Sequence, residues 1–358
     1  MYSIEKETAF DAVDSSAYLF GGADATAAKM ANWAAHNMTA QDAALASPNA
    51  FLVSELEKRD PDVRKPLATV TWSKNIPVRV GGGWIDHTSN LFSNFGGAGD
   101  SNDSLVAAGG ATVLSTTQAN FGKDTYKTHP VIAPISINEI DMLREQITGR
   151  SLDAMLAEGV QLRYQKHMDK NVFIGLPQYG TYGLLNNPSI YATSVAQGTA
   201  SGTPTQWSKK TGVEILKDVN DAIIYTWGQS GNDMGAIPNH ILLPFEQYNL
   251  LNTRLVTEYN STQSIMKFLM DNNIAKINGE NLVFGVSLYN KGAGTGGMDR
   301  MAVYCSKEKY IAVDELVPLT RQRTVYSART SSYDTNYIAN VSQVEFFQPL
   351  TVSYWDGI

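Results

Sequence analysis

Five histidines and one cysteine are the side chains best suited to metal or nucleophilic chemistry, and their spacing argues against both. His36, His87, His129, His167 and His240 stand far apart. None lies at helical spacing from another histidine or a cysteine, the arrangement that turns two ligands toward one ion. The nearest approaches are Asp86-His87, read as a polar loop pair, and His167-Met168-Asp169, read as part of an exposed helix. Cys305 ends the apolar run Met301-Ala-Val-Tyr-Cys305, where a thiol acts as a small inert hydrophobe. No Gly-x-Ser-x-Gly elbow occurs. Gly292-Ala-Gly-Thr-Gly-Gly297 lacks the lysine and Ser/Thr of a phosphate-binding loop, and no helix pattern follows it, so it reads as a connection between strands. The expectation is a chain without catalytic, cofactor-binding or metal-ligating residues, and not an enzyme.

The elements that carry these residues form an α+β order. Residues 1–48 read as an arm with one small Ala-rich helix, and 49–65 as a joining segment whose short helix, Asn49 to Arg59, stops before Pro61. Pro66 to Val80 has the Thr/Val character of a long strand, Gly81-Gly82-Gly83 ends it, and strand character returns from Ala111 to Ile135. Between them, Asp86 to Gly110 is rich in Gly, Ser, Asn and Asp, with too few large apolar residues for a core. This describes a projecting hairpin over 66–134 that needs a partner to lie on, because isolated hairpins are marginal in water. Its aromatic residues Trp72, Trp84, Phe92, Phe95 and Tyr126, with Lys74 and Lys123, are therefore the candidates for contact with another chain.

Ser136-Ile-Asn-Glu139 is a capping-box pattern that opens a long amphipathic helix reaching Met168, with a break expected at Thr148-Gly149. A second box, Thr211-Gly-Val-Glu214, opens a helix through Trp227. A buried strand at His240-Ile-Leu-Leu243, helices to Val256 and from Ser261 to Asn272, and strands at 282–288 and 300–305 make an α/β subdomain. The end, 311–358, is β-rich.

Composition narrows the function classes. The 358 residues are long enough to bury a full core, and one cysteine excludes an internal disulfide framework, in keeping with a reducing compartment. Only 18% of residues are charged, and neutral polar side chains stand in their place. Such a surface is less costly to desolvate and favours extensive protein contact. No stretch approaches ~18 consecutive apolar residues, so neither a membrane span nor a signal segment is expected. Net charge is -7, and residues 1–60 hold nine acids against four bases. No basic stripe is evident along the chain, so sequence-specific nucleic-acid binding is not expected, and the acidic balance should limit non-specific binding.

Several stretches carry a family resemblance. Asp169-Lys-Asn-Val-Phe-Ile-Gly175 running into Gly180-Thr-Tyr-Gly-Leu-Leu-Asn186, then Asp299-Arg-Met-Ala-Val-Tyr304, a later Pro318 and the closing Gln348-Pro-Leu-Thr-Val-Ser-Tyr-Trp-Asp-Gly-Ile358 resemble the major capsid proteins of tailed bacteriophages. Those proteins have the Hong Kong ninety-seven type fold, which encapsulin shells also use, and the ending is similar to a branch that closes on an Asp-Gly-Ile strand. The resemblance implies an N-terminal arm (1–48), a short joining helix (49–65), an extended loop (66–134), a peripheral domain with a long spine helix (135–183), an axial domain (184–320) and a return to the peripheral domain (321–358). It implies a structural protein that self-assembles through hexamers and pentamers into an icosahedral shell around double-stranded DNA, located in the virion and assembled in the bacterial cytoplasm. A separate scaffolding protein, a portal and a decoration protein would be its partners, with no membrane and no cofactor. Covalent cross-links through Lys74, Lys123 or Lys127 have no motif to support them. An encapsulin-like compartment is the alternative reading, and a soluble hydrolase a remote one.

Overall fold

The structure, a computed structural model, describes residues 68–98, 116–148, 151–200, 202, 204–256 and 263–358, and the unit that begins at Ala68 is the one considered below. The expected arm and joining helix, and the hairpin tip at 99–115, lie outside the described residues. Two mixed sheets organise the rest. The first has the order β1 (Val78–Val80), β8 (Ile311–Arg321), β10 (Ser332–Phe346), β3 (Thr116–Asn138), β2 (His87–Ala98), with β9 (Val325–Ser327) also on β10. The second has the order β4 (Tyr191–Ser194), β11 (Val352–Asp356), β7 (Arg300–Tyr304), β5 (His240–Leu243), β6 (Val283–Val286).

The chain does not enter the first sheet as one long strand from Pro66. It forms a short helix, α1 (Trp72–Asn75), before β1. The Asp169 carboxylate accepts from the Thr71 and Trp72 amides at 2.9 and 3.1 Å, which satisfies orphan donors at the helix start. Burial raises the Asp169 pKa above its ordinary value despite those bonds. The hairpin is likewise displaced along the sequence: its first strand is β2, made from residues expected in the flexible tip. The Thr, Ser and Asn residues of β2 suit a two-stranded ribbon that faces water, where a continuous apolar face is not required.

β3 is shared between two partners. Residues 128–138 pair with β10 inside the sheet, whereas 116–127 pair with β2 alone. The last residues of β3 use up the expected capping box, because Ser136 pairs with Asp334. Asn138 takes over, accepting from the Ile140 amide at 3.0 Å as α2 (Glu139–Thr148) begins. The expected break follows: Ser151 caps a new helix, α3 (Leu152–Phe173), by accepting from the Ala154 amide. At 22 residues, α3 spans ~33 Å.

Beneath α3 lies a core of Tyr164, Met168, Val172 and Phe173 against Ile311, Val313, Val341 and Val344 of the first sheet and Tyr304 and Tyr354 of the second. The second sheet has its own core with α4 (Gly212–Gln229), α5 (Phe245–Thr253) and α6 (Ile265–Asp271), centred on Trp207, Ile215, Val219, Ile241 and Val303. Here the Thr211/Glu214 capping box forms as the pattern predicts, with both reciprocal bonds made. Sheet membership does not follow the divisions at 184–320 and 321–358: β8 joins the first sheet before Thr320, and β11 returns to the second. The reason is local pairing, since β11 fits between β4 and β7.

Candidate assembly surface

The β2–β3 ribbon is the feature that asks for a partner, and its root is held by a polar network. Arg79 on β1 reaches Asp314 through Nε at 2.6 Å and Nη2 at 2.9 Å, and Glu345 through Nη2 at 2.9 Å. Its guanidinium lies over the Phe347 ring at 4.7 Å. Glu345 also accepts from the Thr88 hydroxyl at 2.5 Å, which ties the first turn of β2 to the sheet. Burial, foremost, pushes the Glu345 carboxyl above its usual range. The Tyr126 hydroxyl donates to the Phe346 carbonyl at 2.7 Å, and burial, then Asp124 and Glu345, push it up to about 12. Lys127 Nζ donates to the Tyr179 carbonyl at 3.0 Å. Hydrogen bonds to charged groups in such partly buried positions contribute about 1.5–3 kcal/mol each, so this network anchors the ribbon to the sheet.

Beyond the root the ribbon has large apolar side chains on both faces. Leu91, opposite Lys123, and Phe121, opposite Ser93, share one face and are 75% and 79% exposed. Phe92 is on the other face, 43% exposed, over its cross-strand partner Gly122. A two-stranded ribbon cannot bury both faces by itself. The arrangement suits insertion between other surfaces.

The candidates named from sequence divide accordingly. Trp84, Phe92 and Lys123 are exposed on the ribbon or its entry. Tyr126 is half-buried at the root. Phe95 lies in β2 opposite Ala119, and its side chain is outside the described residues. Lys74 is exposed on α1, away from the ribbon. Trp72 must be corrected: it is 5% exposed, packed in the core beneath α3, with its indole N–H donating to Gln165 at 2.9 Å. Leu91 and Phe121, each embedded in polar sequence, are more exposed than Trp84 and Phe92. His167 is half-buried, and Asp169 is buried as the α1 cap, which corrects the reading of that triplet as an exposed helix segment. Cys305 is buried, and burial pushes its thiol up to about 12, so it is a poor nucleophile.

The stretches that carried the resemblance meet in space. Gly175 and Gly183 lie where two backbone segments cross: a Cβ on Gly183 would stand 2.4 Å from the Phe173 carbonyl carbon, and one on Gly175 2.6 Å from the Thr181 oxygen. Only glycine allows that approach. The crossing places the Leu185 carbonyl 2.5 Å from Arg300 Nη1 and the Leu184 carbonyl 2.6 Å from the Tyr354 hydroxyl. Asp299 accepts from Gln247 at 2.7 Å, and its carbonyl accepts from the Gly357 amide at 2.8 Å. The Phe-x-Gly, Gly-Leu-Leu-Asn, Asp-Arg and Asp-Gly-Ile stretches are thus one structural knot, with a framework role and no reactive group.

Comparison with known proteins agrees with this arrangement. The capsid of Myoviridae phage XM1 superposes with a TM-score of 0.70 at 16% identity, covering 85% of this chain and 98% of that one. The capsid of a native GTA particle gives 0.55 at 10% identity, covering 84% and 94%. A protein of Microbacterium phage Oxtober96 gives 0.54 at 10% identity, covering 86% and 97%. No curated protein matches the chain in sequence. The fold is that of tailed-phage capsid proteins, of the Hong Kong ninety-seven type. A family model described as "Major capsid protein" matches residues 103–358, most of the chain, and with the ribbon, the knot and the fold agreeing, the chain belongs to the major capsid protein family.

Proposed function

We propose that this structural capsid protein assembles through hexamers and pentamers into an icosahedral shell enclosing a tailed-phage double-stranded DNA genome. One observation carries the mechanism: a ribbon anchored at its root by Arg79, Asp314 and Glu345 presents Leu91 and Phe121 on one face and Phe92 on the other. In this reading the ribbon is the extended loop and lies over a neighbouring copy. The region of β3, β10 and α3 is the peripheral domain, and the region of α4 to β7 is the axial domain around the symmetry axes. A closed shell repeats each contact many times, so individually weak contacts suffice. The protein acts without enzymatic activity. Assembly takes place in the host cytoplasm with a separate scaffolding protein and a portal, and a decoration protein is a further partner in the virion.

Light scattering and negative-stain microscopy of the chain, expressed alone and with a co-encoded scaffolding candidate, test this. Hollow angular shells are expected from the intact 39.1 kDa chain, and unassembled subunits from a chain lacking Asn90 to Gly109. Shells from the deleted chain would refute the role of the ribbon. Particles from infected cells that hold protein and no nuclease-protected DNA would favour the encapsulin-like compartment instead.

A further inference from the structure

The C-terminal half of α3 gathers positive charge that the linear sequence conceals. Arg163, Lys166 and Lys170 are exposed at helical spacing, and His167 lies half-buried among them. The one acid in this stretch, Asp169, is turned inward and bonded to α1. Among the described residues, none of Arg163, Lys166 or Lys170 has an ion-pair partner. Lys127 at the ribbon root lies close enough to act on His129, whose pKa is lowered by burial foremost, then by Lys127 and His167. Burial, then Lys170 and Arg163, likewise lower His167. A net charge of -7 for the whole chain therefore hides a local surface of opposite sign.

We propose that the Arg163, Lys166 and Lys170 face of α3 binds the phosphate backbone of nucleic acid, without base readout. The three side chains span eight residues, ~10 Å along the helix, enough to meet two or three successive phosphates. The exposed positions between and before them, Gln161 and the half-buried Gln165 and His167, are polar. Acidic protein segments usually gain their hold from apolar anchors as well as charge, and between Arg163 and Lys170 the helix exposes no large apolar side chain. A phosphodiester backbone needs only the charges and hydrogen-bond donors present here. Arginine supplies a fork for bidentate contact, and the two lysines supply point charges. The genome-enclosing reading above provides the context, since a shell that touches its contents only through phosphates would suit any sequence. The expectation that the overall acidic balance limits DNA contact is then replaced by a local exception.

Fluorescence anisotropy of a labelled 30-base-pair DNA, titrated with the full chain in 20–200 mM NaCl, tests the proposal. The comparison is with R163Q/K166Q/K170Q and with K217Q/K267Q, which removes exposed lysines elsewhere. We expect salt-dependent binding that is indifferent to sequence, about tenfold weaker in the triple variant, with a salt slope shallower by about two to three. The control variant should bind like wild type, and R163K alone should retain binding. Equal affinity and slope in the triple variant and wild type would overturn the proposal. So would absence of binding by wild type at 20 mM NaCl, or equally tight binding of poly-glutamate, which would assign the face to an acidic protein. Microscopy of the same samples keeps the two readings apart: missing shells with intact DNA binding refutes the assembly role alone, and shells without DNA binding refutes this inference alone.

Discussion

Arg300 and Asp356 form a buried bidentate ion pair, Nε to Oδ1 at 2.7 Å and Nη2 to Oδ2 at 2.9 Å, that locks β7 to β11 across the second sheet. The guanidinium also donates to the Leu185 carbonyl and lies over the Tyr354 ring at 4.5 Å. The carboxylate also accepts from the Thr295 amide and hydroxyl. All three guanidinium nitrogens and both carboxylate oxygens thus have partners, the condition under which a buried pair is tolerated.

Removing one partner should be far worse than removing both. Asp356→Asn leaves Arg300 buried and uncompensated, and unfolding of the unassembled chain in urea should show a loss of about 3–5 kcal/mol. The double change Arg300→Met with Asp356→Leu should recover much of it. A single variant as stable as wild type would mean that water reaches the pair. Acid should act in the same direction. Burial raises the Asp356 pKa, but bonds from Arg300 and Thr295 outweigh it and hold the carboxyl below its ordinary value. A depressed carboxylate lends stability above its unfolded pKa, and that stability disappears as pH falls through the folded pKa.

His240 gives a second pH dependence with a different window. Its ring packs against Tyr304 at 4.9 Å and lies 3.1 Å from Asn75 Oδ1, so Nε2 carries the proton and donates. Burial lowers its pKa to about 4 from the ordinary 6.5. The folded state therefore resists a proton that the unfolded state accepts, and stability falls as pH drops from about 6.5 toward 4. The full cost is about 3 kcal/mol. His240→Gln should lose less stability than wild type between pH 7 and pH 4, by roughly that amount, in urea titrations at each pH. Parallel pH profiles for the two proteins would show that His240 is not the group responsible.

How far the sequence could be read depended on whether an element's partners were local. The Thr211/Glu214 box lies within one helical turn, and it forms as its pattern predicts. The identical logic at Ser136 and Glu139 fails because Ser136 belongs to a strand pair with Asp334, almost two hundred residues away in sequence. Trp72 looked like surface because its neighbours alternate like a strand, and nothing nearby announces that Asp169 and Gln165 will receive it. β2 was hidden for the opposite reason: a ribbon wet on both sides needs no apolar alternation, so its Asn, Ser and Gly residues read as loop. The basic face of α3 was legible at spacing 163, 166, 167 and 170, but a count of charges along the chain averages it away.

Trp72→Ala separates core from surface directly. Removing a buried indole should cost about 3–5 kcal/mol, with Gln165 left short of its partner. Thermal unfolding of the unassembled chain reads that loss. Lys74→Ala, two residues on and exposed, should leave the melting temperature within a degree or two. A destabilised chain at Lys74 with an unaffected one at Trp72 would reverse the assignment.

The ribbon face makes the opposite prediction. Leu91 and Phe121 are three-quarters exposed or more in the subunit, so Leu91→Ser with Phe121→Ser removes little that the isolated chain has buried. Its unfolding free energy should change by no more than about 0.5 kcal/mol. If these side chains become buried against a neighbouring copy, each forfeits about 1.5–3 kcal/mol of burial in the shell. That cost recurs at every subunit, so the concentration needed for assembly should rise more than tenfold, measured by sedimentation of shells over a dilution series. Because Leu91 and Phe121 share one face and Phe92 occupies the other, Phe92→Ser tests a separate contact. Assembly that tolerates the paired change but not Phe92→Ser would place the partner on the Phe92 side. Assembly that tolerates all three would mean that the ribbon, for all its apolar exposure, is not what joins one subunit to the next.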